Sequence, residues 1–248
     1  MTTTYPDQLM LPGQAAAPGG PIDMNVMYLM HHAFRRDLRR FGATVPETPL
    51  DDQATWVALA QRWERFSEIL HHHHSGEDAG IWPFLLERAH PAERQTLLDM
   101  EAEHEKIDPL LQSCGEGFAA LAGSTTKAGP DREALRSALA VRLAETNEVL
   151  SAHLRHEESE AMVILQRHMT QADWERIEEE HFKSKDSLGF LLYVVPWLAE
   201  ELPEPVLDEL LSAAGTPMKV INWIGGALKF RKLERKAFRH LPVPAFVS

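Results

Sequence analysis

Four stretches of this chain place an apolar residue every three or four positions, and each stripe is broken at one level by histidine or by histidine and glutamate. The first reads Met24, Met27, His31, Phe34, Leu38, Phe41. The second reads Trp56, Leu59, Trp63, Phe66, Leu70, His73, Glu77. The third reads Leu97, Met100, His104, Ile107, Leu111, and the fourth Leu139, Leu143, Thr146, Leu150, His153, Glu157, Ile164. Steps of three and four put side chains on one face of a helix. Such a face normally packs against a core. Four of them with fairly short connections predict an all-α protein, an antiparallel four-helix bundle. β-branched residues are sparse and do not alternate, so no strand is expected.

Four imidazoles and two carboxylates aimed into one apolar core are costly to bury alone, since buried charge must be paired or must bind metal. The arrangement also repeats: a lone His31 precedes His73 and Glu77, and a lone His104 precedes His153 and Glu157. Residues four apart are neighbours on a helix face, so each His–Glu pair can reach a common centre. The pattern predicts a metal site with two ions. Imidazole and carboxylate without thiolate suit Fe, Mn or Zn, and argue against structural Zn or Fe–S. About two His per ion, with Glu77 and Glu157 shared, leaves open positions of the kind small-oxidant chemistry needs.

Other candidates carry less. Asp108 follows His104 by four residues and is weighed as a further ligand or as an acceptor for a His N–H. His32, His71, His72, His74 and His156 lie off the stripes and are expected to face solvent or the outside of the site. Tyr28 and Tyr193 are read as core residues, with an outer phenol as the alternative. A ferritin-like carboxylate site pairs Glu with His three residues on. Glu101/His104 and Glu178/His181 offer that spacing but leave His31, His73, Glu77, His153 and Glu157 unexplained.

Composition narrows the setting. A net charge of -12 argues against nucleic acid as the main partner. The single cysteine, Cys114, excludes an internal disulfide, suits a reducing cytosol and is read as a loop or helix-end thiol. Met1–Pro21 lacks the features of a signal peptide, and the apolar run Leu188–Ala199 is too short to span a bilayer and contains Pro196. A soluble, cytoplasmic protein with no membrane span is expected.

Three segments follow: a mobile tail (1–22), the bundle (23–168) and a helical extension (169–248). Asp23 is expected to cap a first helix ending near Phe41–Gly42, and Asp51 or Asp52 a second running to about Asp78. Residues 81–89 read as a short apolar turn or helix. Pro91 should open a third helix reaching Leu121 with a kink at Pro109, and Asp131 should cap a fourth ending near His168. Thr170 is a cap for a helix to Phe182, followed by helices over 188–202, 205–214 and 217–240. The last is basic and reads as a solvated face, with docking to an acidic partner or membrane as the alternative.

The order H…HxxxE…H…HxxxE on four helices resembles the hemerythrin-like, or HHE cation-binding, proteins. Local strings fit as well: His31-His32-Ala33-Phe34-Arg35-Arg36-Asp37-Leu38, then His73-His74-Ser75-Gly76-Glu77-Asp78 before Trp82-Pro83, then His153-Leu154-Arg155-His156-Glu157-Glu158. The resemblance covers about residues 23–168. Val195-Pro196-Trp197-Leu198 is similar to extensions of some bacterial members.

The resemblance implies a carboxylate-bridged non-heme centre of two Fe ions that meets a small oxidant or gas: peroxide, oxygen or nitric oxide. Oxygen-carrying members have HxxxH on the third helix and HxxxxD on the fourth. This chain has His104 with Asp108, and His153 with Glu157. One strong ligand fewer leaves the centre more open, which puts reversible oxygen carriage in doubt and favours catalase-like decomposition of hydrogen peroxide. The alternative is a sensing or iron-binding module without turnover, its extension relaying the state.

Overall fold

The computed structural model describes residues 5–123, 130–183, 188–213, 215–226 and 230–242. The described residues are mostly helical, with no strand among them. Four long segments form the bundle: α1 (Asn25–Glu47), α2 (Gln53–Gly76), α4 (Arg94–Gly123) and α5 (Pro130–His156). α1 packs on α5, α5 on α4, α4 on α2 and α2 on α1, closing a ring. Every stripe residue named above is buried.

Local chemistry fixes the ends. Asp52 is the N-cap of α2, accepting from the Thr55 N–H at 3.2 Å. The N-cap of α1 is Met24, one residue beyond the expected Asp23, whose carboxylate instead accepts from the Asn25 N–H. α1 also continues past Gly42 to Glu47, because Thr44 and Val45 are buried and hold the last turn in the core. Gly42 stays helical although a Cβ there would meet nothing within 4 Å, so packing of the following turn overrides the weak stop signal. Pro91 lies in a turn before α4, which starts at Arg94 and continues through Pro109. The expected cap Asp131 lies inside the first turn of α5, after Pro130. Cys114 is neither in a loop nor at a helix end. It is buried midway along α4, 3.4 Å from the Thr146 hydroxyl that fills the polar gap in the fourth stripe.

Two of the long helices end in a widened, π-helical turn: Glu77–Ile81 after α2 and Glu157–Ala161 after α5. Each leads into a short helix, α3 (Trp82–Leu86) and α6 (Met162–His168). Both π turns begin at a stripe glutamate.

The extension is built from α7 (Gln171–Ile177), a π turn (Glu178–Lys183), α8 (Leu188–Ala199), α9 (Glu204–Ala213), α10 (Gly215–Gly225) and α11 (Arg231–Ala237). Thr170 and Asp173 form a capping box for α7. Of the single basic helix expected over 217–240, α10 and α11 are described, and residues 227–229 between them lie outside the described residues. α8 packs on α1, α10 on α8 and α11 on α2. Residues 5–22, within the segment expected to be a mobile tail, lie folded on the bundle: Leu11 and Ile22 are buried, and the Ala15 N–H donates to Glu158 at 2.8 Å. No helix among the described residues is long and apolar enough to cross a membrane.

Candidate metal centre

At the level where the four stripes turn polar, seven side chains converge in two groups. His31, His73, Glu77 and Glu157 form one, and His74, His104 and His153 the other. Within each group the donor atoms lie within 4.8 Å of one another, and all seven residues are buried. Among the described residues these are the groups that could hold a metal ion.

Glu77 and Glu157 tie the groups together. Glu77 Oε1 lies 3.1 Å from His73 Nε2 and its Oε2 lies 3.4 Å from His104 Nε2. Glu157 Oε2 lies 3.2 Å from His31 Nε2 and 3.8 Å from His153 Nε2. His104 Nε2 and His153 Nε2 are 3.1 Å apart. The rings of His74 and His104 stack at 3.9 Å.

Each glutamate therefore meets an imidazole of its own copy of the repeat and one of the other. His31 from the first copy meets Glu157 from the second, and His104 from the second copy meets Glu77 from the first.

A second ring of carboxylates holds the imidazoles from behind. His31 Nδ1 lies 3.0 Å from Glu158, His104 Nδ1 lies 2.8 Å from Asp78, and His153 Nδ1 lies 2.9 Å from Glu103. Each contact places the ring proton on Nδ1 and turns the Nε2 lone pair inward, the usual support of a metal-bound histidine. Glu158 is itself gripped by both Arg35 Nη atoms at 2.7 and 2.9 Å. Glu103 also holds His156 Nδ1 at 2.9 Å.

Electrostatics at the centre call for an added cation. Glu77 is held well above the usual carboxylate range by burial and by the adjacent Glu157 charge. Burial opposes ionisation of Glu157 too, but His31, and then His153 and His73, draw it down to about 2. Burial keeps His73 and His74 neutral, well below the usual imidazole range, with the other imidazoles adding to the effect. Burial also lowers His153. His31 is the exception: burial is outweighed by Glu157 and Glu158, and its pKa rises to about 9. Nε2 of His31 and His73, both ring nitrogens of His74, and both oxygens of Glu77 and Glu157 are buried without a hydrogen-bond partner. Unpartnered buried donors and acceptors are expensive. Neutral imidazoles and carboxylates are the ligand forms that bind divalent metal, so the residues fit such an ion.

The other sequence candidates sort clearly. Asp108 is exposed and stands apart from both groups. His74 was expected off the stripe but is buried at the centre, because α2 packs on several neighbours and buries more than one narrow face. A step of four from Leu70 reaches His74 as readily as a step of three reaches His73. His32 is buried too, where burial and then Arg36 and Arg39 lower its pKa. His71 is exposed, and His72 and His156 are half-buried. Tyr193 is core beside Phe230. Tyr28 is also buried, and its unpartnered hydroxyl is within electrostatic reach of Glu158 and Glu157. Glu101 is exposed, and Glu178 and His181 lie outside both groups, so the ferritin-like pairs do not assemble.

Asp78, Glu103, Glu158 and Arg35 were not singled out from sequence. Asp78 and Glu158 each directly follow a stripe glutamate, a signal present in both copies. Glu103 has no comparable mark. Among known proteins, no curated protein and no solved structure matches the chain. A family profile described as the Hemerythrin HHE cation binding domain matches residues 23–165.

Proposed function

Because the chain belongs to the hemerythrin HHE cation-binding family, we propose that His31, His73, His74, Glu77, His104, His153 and Glu157 hold two iron ions and that the centre decomposes hydrogen peroxide. The observation that carries this reading is the position of Glu77 and Glu157. Each stands between an imidazole of one group and an imidazole of the other, with both oxygens otherwise unpartnered. Two adjacent iron ions would supply two-electron redox chemistry toward a small oxidant.

The chain's own residues then have distinct tasks. Glu158, Asp78 and Glu103 fix the tautomers of His31, His104 and His153. Phe34, whose ring centroid is 5.3 Å from that of His73, walls the centre against water. Glu103, His156 and Glu160 form a path from His153 to solvent, with steps of 2.9, 2.9 and 3.5 Å. Its outer end, Glu160, has a side chain 59% exposed, so protons can be exchanged with water there. Exposure of Asp108 leaves the third helix with one imidazole on the centre, which supports turnover over carriage.

The test is metal content per chain with an optical spectrum before and after peroxide, followed by the rate of oxygen release. About two irons per chain, spectral change on peroxide and oxygen evolution are expected, all lost in Glu157→Ala. Oxygen release at full rate from metal-free protein would refute the reading. A sensing role draws support from the extension packing beside the centre: Phe182 lies against Gly76, and its carbonyl is 2.9 Å from His72 Nε2. Under that reading nitric oxide would change the protease sensitivity of residues 170–248, with little peroxide turnover.

A further inference from the structure

Against His73 lies a cavity of about 350 Å³ that the small-oxidant reading does not require. Its walls include Met30 of α1, Trp174 of α7, Phe190, Val195 and Leu198 of α8, and Met218 of α10. Most of this lining comes from the extension rather than from the four striped helices. Among the lining residues the ionisable ones are His72, His73 and Glu178. A molecule the size of dioxygen or peroxide needs roughly 30 Å³, about the share of one water in the liquid. The cavity is about ten times larger and falls within the range of organic-ligand sites, which are mostly apolar with a few polar groups at one place.

We propose that this cavity binds a neutral, largely hydrocarbon organic molecule and holds one end of it against His73. The chemistry of the walls selects that class. Aliphatic, aromatic and Met side chains reward apolar surface and offer no compensation for a buried charge. An anionic head would meet Glu178 in a protein of net charge -12. The pocket gives the extension a task, that of closing an organic site over one edge of the metal centre. It stands or falls independently of whether the centre turns over peroxide.

The experiment uses the full chain as purified and N-phenyl-1-naphthylamine, a neutral dye that brightens in apolar surroundings. Saturable binding of one dye per chain is expected. Val195→Trp and Met30→Trp should each weaken it at least tenfold, while circular dichroism shows the helices intact. Trp223→Ala alters the most exposed large apolar side chain among the described residues, 73% accessible on α10, and should leave binding unchanged. Decanol should displace the dye and decanoate should not, a comparison that needs no variant to fold. Binding that does not saturate, that survives both filling substitutions, that is lost with Trp223, or that decanoate competes as well as decanol would overturn the proposal.

Discussion

At the residue scale the centre is defined as much by what stands behind each imidazole as by the imidazoles themselves. Asp78 and Glu103 orient His104 and His153 while remaining partly open to solvent, so replacing them should not leave a deeply buried hole. Asp78→Asn and Glu103→Gln should therefore keep the fold and lower metal affinity by about 10–100-fold, the usual effect of losing such a partner. Competition against a chelator of known affinity measures this, and unchanged affinity in both variants would separate these carboxylates from metal binding. The inward residues were legible because His and Glu are conspicuous on an apolar stripe. His74 was not, since an adjacent residue sits about 100° around the helix and the width of the buried face depends on neighbours. Glu103 was illegible for a related reason: a half-exposed glutamate on a helix looks like any other until its partner is known.

At the scale of elements, glycine decides how closely the extension approaches. A Cβ on Gly76 would come within 2.6 Å of the Phe182 ring, and one on Gly80 within 2.7 Å of His181. At Gly225 it would overlap the backbone carbonyl of Leu192, where α10 crosses α8. Alanine gains up to about 1 kcal/mol of helix propensity over glycine. Overpacking costs about 1–3 kcal/mol and weighs most where backbone must move. Gly225→Ala is therefore expected to destabilise the α8–α10 contact and speed proteolysis within the extension. Gly76→Ala should be milder, because the Phe182 ring can turn. Equal or higher resistance to proteolysis in Gly225→Ala would show that the helices separate at little cost. The two π turns belong to this scale as well. Both start at a stripe glutamate, and an inserted residue in a helix is a common accompaniment of functional sites. No residue pattern announces them, since the extra residue is accommodated by backbone geometry.

At the scale of the whole molecule, a buried ionic network joins the extension to the bundle. Asp37 is fully buried and accepts from Arg36 at 2.9 Å, from the Trp197 indole at 2.7 Å, and from Arg62. Arg62 also binds Glu234 of α11, which meets Arg40 at 3.0 Å. Arg36 caps α8 by donating to the carbonyls of Trp197 and Glu200 at 2.7 and 2.8 Å. Removing one partner of such a set strands the others, so Asp37→Ala should cost about 3–5 kcal/mol.

The network also sets a pH dependence. Burial opposes the Asp37 charge, but Arg62 and Arg36 outweigh it and hold its pKa below the ordinary 3.8. A depressed carboxyl contributes stability above its unfolded pKa and loses it as pH falls through the folded one. Glu234 works the other way: burial leaves it above the usual value despite Arg62 and Arg40, so its protonation favours the folded state. Tyr193 faces the same network but stays neutral, its pKa raised chiefly by burial. Urea midpoints between pH 3 and 6 should show a loss below about pH 4 that flattens in Asp37→Asn. An unchanged acid limb would assign that loss to other carboxylates.

The sequence by itself determined the all-helical bundle, the level at which its core turns polar, and six of the seven residues that meet there. Those are properties of periodicity, and periodicity is written along one chain. Tertiary structure alone decided which imidazole of the other repeat each glutamate meets, the inclusion of His74, the outer carboxylate Glu103, the docking of the extension through Asp37 and the close crossing of α8 and α10 at Gly225. Each of these depends on which faces of different helices come together, and spacing within one helix carries no information about its neighbour.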